Sequence, residues 1–269
     1  KVLRYNLILS WTLSLKLGIC SREGFRLETK IIAHRGSSNK APENTETSFR
    51  QAVNDKADGV EFDVHLSADK EVVVIHDEKI DRTSNQSGYV KDYTLKELKR
   101  FDFGSYFAKS FKDQSILTLE ETLDIVQNME LINIEIKKGY GINQGIEKKI
   151  VEIIKEKGLL DKVLISSFNH DSLKIIKDID SKIKTAALLF ARLHKPWQYA
   201  KNLGCEYLHL YYKLLDKVII ESCHKKNVKV NTFTVNDMAD MQKLLYINVD
   251  GIITDYPMEA LKLLEEVNS

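Results

Sequence analysis

The chain is poor in the residues that dictate special architectures. Three cysteines in 269 residues, Cys20, Cys205 and Cys223, are too few for a disulfide framework, and no C-x-x-C pairing suggests zinc. Three prolines and twelve glycines leave no Pro/Gly-rich linker. Neither sign of charge prevails: 40 Lys and Arg against 39 Asp and Glu give a net charge of +1. That balance removes any global electrostatic case for nucleic acid or an anionic membrane as partner. No G-x-G-x-x-G or P-loop is present, and no internal repeat or low-complexity segment appears.

What remains is an ordinary globular composition, 43% hydrophobic and 29% charged. Charge is nevertheless uneven along the chain. Residues 1–30 carry six basic and two acidic residues, net +4, which leaves residues 31–269 at net −3. The same segment holds the longest apolar-leaning stretch, Leu7 to Cys20. It is too short and too polar for a transmembrane helix, which needs about 20 mostly apolar residues, so no stable membrane insertion is expected. A basic start followed by this stretch reads as a truncated export signal. The alternation of Leu7, Leu9, Trp11, Leu13, Leu15 and Leu17 with more polar residues also has a strand period. Residues 1–30 are therefore expected to be an extension of uncertain role. Composition favours the cytoplasm, and export follows instead if residues 1–20 are a signal.

From Ile31 onward, short Val- and Ile-rich runs alternate with helical patterns. The runs cover residues 31–33, 59–64, 72–75, 131–136, 163–167, 185–190, 207–210, 228–235 and 251–254. Thr118, Asn169 and Asn236 precede helical stretches as N-caps, and Gly158 follows one as a C-cap. Nine strands are one too many for an eightfold barrel. Only seven residues, His65 to Glu71, separate the second run from the third. A parallel crossover needs a dozen or more, so these two must form an antiparallel hairpin. A turn at 68–70 makes opposed residue numbers sum to about 139, which sets His76 beside Asp63. The eight remaining strands, with helix-sized connections, predict an α/β fold, a (β/α)8 TIM barrel over residues 31–269. A doubly wound open sheet is the structural alternative. Residues 77–117, with a turn-like segment at 85–88 and a helical pattern at 95–101, read as an insertion packed on the barrel.

In such a barrel the active site lies at the C-terminal ends of the strands. Those ends carry His34-Arg35-Gly36, then Glu61 and Asp63, then Glu135 and Lys137. Residues two apart on a strand share a face, so Glu61 and Asp63 point together, as do Glu135 and Lys137. Carboxylates pointing into a packed barrel cost several kcal/mol each unless paired or metal-bound, and three in one space repel one another. One hard divalent cation, Ca²⁺ or Mg²⁺, resolves that repulsion through oxygen ligands. His34 and His76 flank the same place, and imidazole titrates near neutrality, which suits a general acid and a general base. Arg35 and Lys137 suit an anionic phosphodiester. His65, His170, His194, His209 and His224 are assigned structural roles by default.

Taken in order, His34-Arg-Gly36, Pro42-Glu-Asn-Thr45, Glu61-Phe-Asp63, His76-Asp77 and Glu135-Ile-Lys137 resemble the glycerophosphodiester phosphodiesterase family. Arg82-Thr-Ser, Gly88-Tyr-Val, Thr118-Leu-Glu-Glu121, Ser167-Phe168, Thr234-Val-Asn236 and the segment 250–255 follow the family's order as well. The resemblance covers about residues 31–257. It implies a TIM-barrel hydrolase that cleaves a small-molecule glycerophosphodiester to sn-glycerol 3-phosphate and an alcohol, using Ca²⁺ or Mg²⁺. It further implies His34 and His76 as the acid–base pair, Glu61, Asp63 and Glu135 as metal ligands, and Arg35 and Lys137 as phosphate contacts. Phe168 and Phe233 fall where the family lines its pocket with apolar or aromatic groups. Three departures stand out: Phe233 where Trp is frequent, Asp69-Lys70 where Asp-Gly is usual, and Ser48 where Ala is common, the last expected to be without consequence. A phospholipase-D-like enzyme acting on lysophospholipids or sphingolipids is the alternative within the same fold. A non-catalytic phosphodiester-binding barrel would lack one of the five site residues, and all five are present.

Overall fold

In the computed structural model, residues 27–137 and 142–269 are described. Of the expected extension, residues 1–26 lie outside the described residues.

The apolar runs form strands in the expected order: β1 (Lys30–His34), β2 (Gly59–Leu66), β3 (Val72–Val74), β4 (Leu117–Thr118), β5 (Leu131–Ile136), β6 (Val163–Ser167), β7 (Lys184–Leu189), β8 (Tyr207–Tyr211), β9 (Lys229–Phe233) and β10 (Gly251–Thr254). Eight of them, β1, β2 and β5 to β10, run parallel, and β1 closes the ring by pairing with both β2 and β10. The result is a (β/α)8 barrel, and the open-sheet alternative falls. β3 and β4 extend one rim as antiparallel additions to β2. β4 has no counterpart in the sequence reading, because two residues are too few to show a period.

The outer layer comprises α1 (Glu46–Asn54), α2 (Leu95–Leu98), α3 (Leu119–Val126), α4 (Ile146–Glu156), α5 (His170–Ile179), α6 (Pro196–Leu203), α7 (Lys217–His224), α8 (Met238–Tyr246) and α9 (Pro257–Asn268). The strands are buried on both faces, which is why they read as unbroken apolar runs. Thr118 caps α3 and Asn169 caps α5 as expected, and Gly158 takes a left-handed φ of 68° after α4. The third cap differs. Asp237, not Asn236, caps α8, because the Asn236 side chain is engaged with Thr254 and Asp255. The expected insertion forms a small core of its own, Ile80, Val90, Leu98, Phe103 and Ile116, against Val73 and Ile75.

Register places the charged strand ends together. His34 lies beside Glu61, and Asp63 lies beside Glu135. The hairpin is one residue off the expected pairing: Val64 faces Val74, and Ile75 donates its N–H to the Asp63 carbonyl at 3.0 Å. His76 therefore sits just beyond the ladder rather than in it. The turn lies at Ala68–Lys70 as expected, with Lys70 at a left-handed φ of 67°, but three residues in the turn oppose Ser67 to Glu71, so opposed numbers sum to 138 and not 139. At the opposite end of the barrel a cavity of about 750 Å³ is lined by Lys30, Asp58, Lys184 and Asp250 among others, and none of the candidate site residues reaches it. No helix among the described residues is long and apolar enough to cross a membrane.

Left-handed backbone costs a side-chain-bearing residue about 1–2 kcal/mol, part of which glycine returns as entropy of the unfolded chain. Lys70→Gly is thus expected to raise stability by about 1 kcal/mol, read from urea unfolding. An unchanged or lowered midpoint would show that the Lys70 turn is not strained.

Candidate active site

The turn after β1 carries two consecutive left-handed residues, Arg35 at φ 55° and Gly36 at φ 83°. A side chain at Gly36 would collide with Ser48, whose backbone carbon lies 2.6 Å from the position of a Cβ. Ser48 is not without consequence. Fully buried, its hydroxyl donates to the Arg35 carbonyl at 3.0 Å and closes a capping box with Thr45, locking the turn onto the start of α1. The turn holds His34 and Arg35 at the rim.

Glu61, Asp63 and Glu135 converge: one oxygen of each lies within 4.8 Å of the others, and all three residues are buried. Two cations are set among them. Lys137 Nζ lies 3.0 Å from Asp63 Oδ1 and 2.5 Å from Glu135 Oε1, and Arg35 Nε lies 3.3 Å from Asp63 Oδ2. These are ion pairs by distance, but neither Asp63 Oδ1 nor Glu135 Oε1 accepts a well-directed hydrogen bond. Buried oxygens left in that condition suit a further electropositive partner, and an all-oxygen donor set suits a hard divalent cation. Asn44 steadies the trio by donating to Asp63 Oδ2 at 3.1 Å.

The three carboxyls respond differently to one environment. Burial pushes Glu61 well above the usual carboxylate range, and the neighbouring Asp63 and Glu135 push the same way. Burial likewise raises Glu135 to about 7, against the pull of Lys137. For Asp63 burial is outweighed by Lys137 and Arg35, which hold it below the ordinary value. Three carboxyls among two fixed cations thus keep one of them, Asp63, firmly ionised.

Each candidate histidine is backed by a carboxylate. His34 Nδ1 lies 2.6 Å from Asp255 Oδ1, and its Nε2 lies 3.9 Å from Glu61. Asp255 also accepts from Ser38 at 2.9 Å and Asn236 at 2.6 Å; these bonds and His34 overcome burial and bring its carboxyl down to about 2. His76 Nδ1 lies 2.5 Å from Asp77. Burial lowers the His76 imidazole, and the cations of Lys137 and Arg35 add to that effect against Asp63 and Asp77. In both histidines the carboxylate fixes the ring and leaves Nε2 for other partners.

An ion-pair chain links the two halves of the site. Arg82 Nε meets Asp77 at 2.7 Å, its two Nη atoms meet Glu43 at 2.7 and 2.8 Å, and Glu43 meets Arg35 Nη1 at 2.8 Å. Asp255, Asp77, Glu43, Asn44 and Arg82 were not singled out as site residues in the sequence. Asp77 and Asp255 carried a signal, since each is a charged residue at or just past a strand end, whereas Glu43 and Arg82 meet only through tertiary structure.

His76, Glu135, Lys137, Phe168 and Asn169 line one cavity of about 340 Å³. Phe233 packs edge-on to Phe168 at 5.9 Å, and Phe190, 64% exposed, stacks on Phe168 at 5.0 Å. The structure therefore brings together His34, Arg35, Glu61, Asp63, His76, Glu135 and Lys137, with Phe168 lining the adjoining cavity and Phe233 packed against Phe168.

The sequence profile of the glycerophosphoryl diester phosphodiesterase family matches residues 34–259. A glycerophosphodiester phosphodiesterase of Caldanaerobacter subterraneus subsp. tengcongensis is 41% identical over 241 residues, covering 89% of this chain and 99% of its own length. One from Bacillus altitudinis is 39% identical over 243 residues, with coverage of 89% and 99%. Among solved structures, an Oleispira antarctica phosphodiesterase in complex with the product sn-glycerol-3-phosphate superposes with a TM-score of 0.82 at 30% identity, covering 88% of this chain and 96% of that one.

The raised Glu135 carboxyl keeps a proton in the folded protein that the unfolded chain has already lost, so its contribution to stability falls as pH rises from about 4.5 to about 7. In chelator, Glu135→Gln should become steadily more stabilising relative to wild type over that window, as measured by urea unfolding at a series of pH values. A difference that does not change with pH would contradict the buried placement of this carboxyl.

Proposed function

Because this chain belongs to the glycerophosphoryl diester phosphodiesterase family, we propose that it hydrolyses glycerophosphodiesters to sn-glycerol 3-phosphate and an alcohol, with residues 31–269 as the catalytic unit. One observation carries the reading: two histidine–carboxylate pairs meet a buried trio of carboxyl groups set beside Arg35 and Lys137. Glu61, Asp63 and Glu135 would hold one Ca²⁺ or Mg²⁺, which when bound supplies Lewis-acid polarisation of a phosphoryl oxygen. A divalent ion would displace the protons that burial keeps on Glu61 and Glu135. Three ionised carboxylates, the cations of Arg35 and Lys137 and the divalent ion then sum to one positive charge, the complement of a phosphodiester monoanion.

Arg35 and Lys137 reach the same space and neutralise charge that builds on the phosphoryl oxygens. His76, kept neutral by burial, accepts the proton of the attacking oxygen through Nε2, with Asp77 holding the ring and favouring the charged form as it appears. His34, held by Asp255 beside Glu61, delivers a proton to the departing alkoxide. Phe168 at the cavity mouth packs against the alcohol portion, with Phe233 supporting it.

A second reading is favoured by one feature. The exposed rings of Phe168 and Phe190 would also suit an acyl chain, as in a phospholipase-D-like enzyme on lysophospholipids. Turnover of a water-soluble diester against that of a single-chain lipid separates the two.

His34→Ala and His76→Ala are each expected to lower kcat on glycerophosphocholine by about 10²–10⁴-fold, the range for loss of a general acid or base. Chelator should remove activity, and added Ca²⁺ or Mg²⁺ should restore it. Near-wild-type turnover in either variant, or full activity in chelator, overturns the assignment.

A further inference from the structure

His65 lies outside the set of candidate catalytic groups, yet its hydrogen bonds lead to the backbone at His76 and, through Asn143, at Lys137. It is 2% exposed, on β2 two residues past Asp63, and it borders the cavity that His76, Glu135 and Lys137 line. Its Nε2 lies 3.1 Å from the carbonyl oxygen of His76, and its Nδ1 lies 3.1 Å from Nδ2 of Asn143. Asn143, 6% exposed and at a left-handed φ of 57°, also bonds the Lys137 carbonyl through Nδ2 and accepts the Leu66 N–H through Oδ1 at 2.8 Å.

The direction of every bond in this set follows from chemistry. The Leu66 N–H can only donate, so the Asn143 oxygen faces it and the Asn143 amide nitrogen faces His65 and Lys137. That nitrogen can only donate, so His65 Nδ1 is the unprotonated ring nitrogen. Nε2 then carries the proton, and the His76 carbonyl can only accept it. Both protons of the amide and both nitrogens of the ring are used, and the set has a single arrangement. Its outer ends are the backbone carbonyls of His76 and Lys137, which follow β3 and β5, the strands on either side of β2, and both residues line the cavity.

We propose that His65 is a positioning residue for hydrolysis: bonded to the His76 carbonyl and to Asn143, it fixes the loop bearing His76 at a set distance from the loop bearing Lys137. The inference rests on the proposed function, since the placement matters only if His76 transfers a proton near the phosphoryl group held by Lys137. A merely space-filling histidine would affect stability and leave the balance of kinetic constants alone.

The test compares His65→Leu, His65→Gln and Asn143→Ala with wild type on glycerophosphocholine with added Ca²⁺ or Mg²⁺, alongside urea unfolding of each variant. Misplacing a catalytic group by about 1 Å costs about a hundredfold, so His65→Leu should lose about that factor in kcat with KM little changed. Asn143→Ala, which frees the imidazole without altering it, should shift kcat in the same direction. His65→Gln, whose amide nitrogen can still donate to the His76 carbonyl, should recover most of the loss. In a His76→Ala background His65→Leu should cost nothing further, because the two act through one group. Wild-type kcat in His65→Leu and in Asn143→Ala, absence of rescue by Gln, or an equal loss in the His76→Ala background overturns the positioning role. An inactive wild type overturns the functional reading, and the positioning role falls with it.

Discussion

Everything at the rim of this barrel answers to one electrostatic problem: Glu61, Asp63 and Glu135 are buried within 4.8 Å of one another. Carboxylates so placed would cost several kcal/mol each without compensation. Arg35 and Lys137 supply part of it, and they do so unevenly. Both reach Asp63, Lys137 also reaches Glu135, and among the described residues no Lys or Arg lies within ion-pair distance of Glu61, which has His34 Nε2 at 3.9 Å. The unevenness is visible in the opposite displacements of Asp63 and Glu61 from ordinary carboxylate behaviour. Without a further cation the repulsion is relieved by protons that burial keeps on Glu61 and Glu135; a divalent cation would displace those protons and take over the compensation.

The surrounding structure serves that arrangement at successive distances. Parallel pairing with β2 at the centre aligns His34 with Glu61 and Asp63 with Glu135. The turn after β1, with Arg35 and Gly36 both left-handed and Ser48 locking it to α1, delivers one of the compensating cations. The Arg35–Glu43–Arg82–Asp77 chain then carries the constraint across to His76, tying that histidine to the cation beside Asp63. Strain at Arg35 is tolerable because hydrogen bonds on both sides hold it.

Much of this was legible in the sequence because strand geometry is simple. A period of two places Glu61 with Asp63 and Glu135 with Lys137 on shared faces, and a seven-residue gap can only close as a hairpin. Those two rules suffice to gather the carboxylates and to bring His76 near them. They leave exact register open: three residues in the turn at 68–70 oppose Ser67 to Glu71, so that Ile75 and not His76 faces Asp63. They also miss contacts that join distant segments. Asp255 lies 221 residues from His34, and Arg82 lies 39 from Glu43. The cap on α8 passes to Asp237 for a related reason, since the Asn236 side chain holds Asp255. Local pattern located the elements and the charged strand ends. Tertiary hydrogen bonding decided which neighbours orient them.

The central claim is that the carboxylate trio is a site for one divalent cation. Calorimetric titration of Ca²⁺ or Mg²⁺ into chelator-stripped protein tests it most directly, with Glu61→Gln and Asp63→Asn titrated in parallel. One ion per chain in the wild type, with binding lost or greatly weakened in both variants, is the result predicted. No binding in the wild type, or equal binding in the variants, would contradict it.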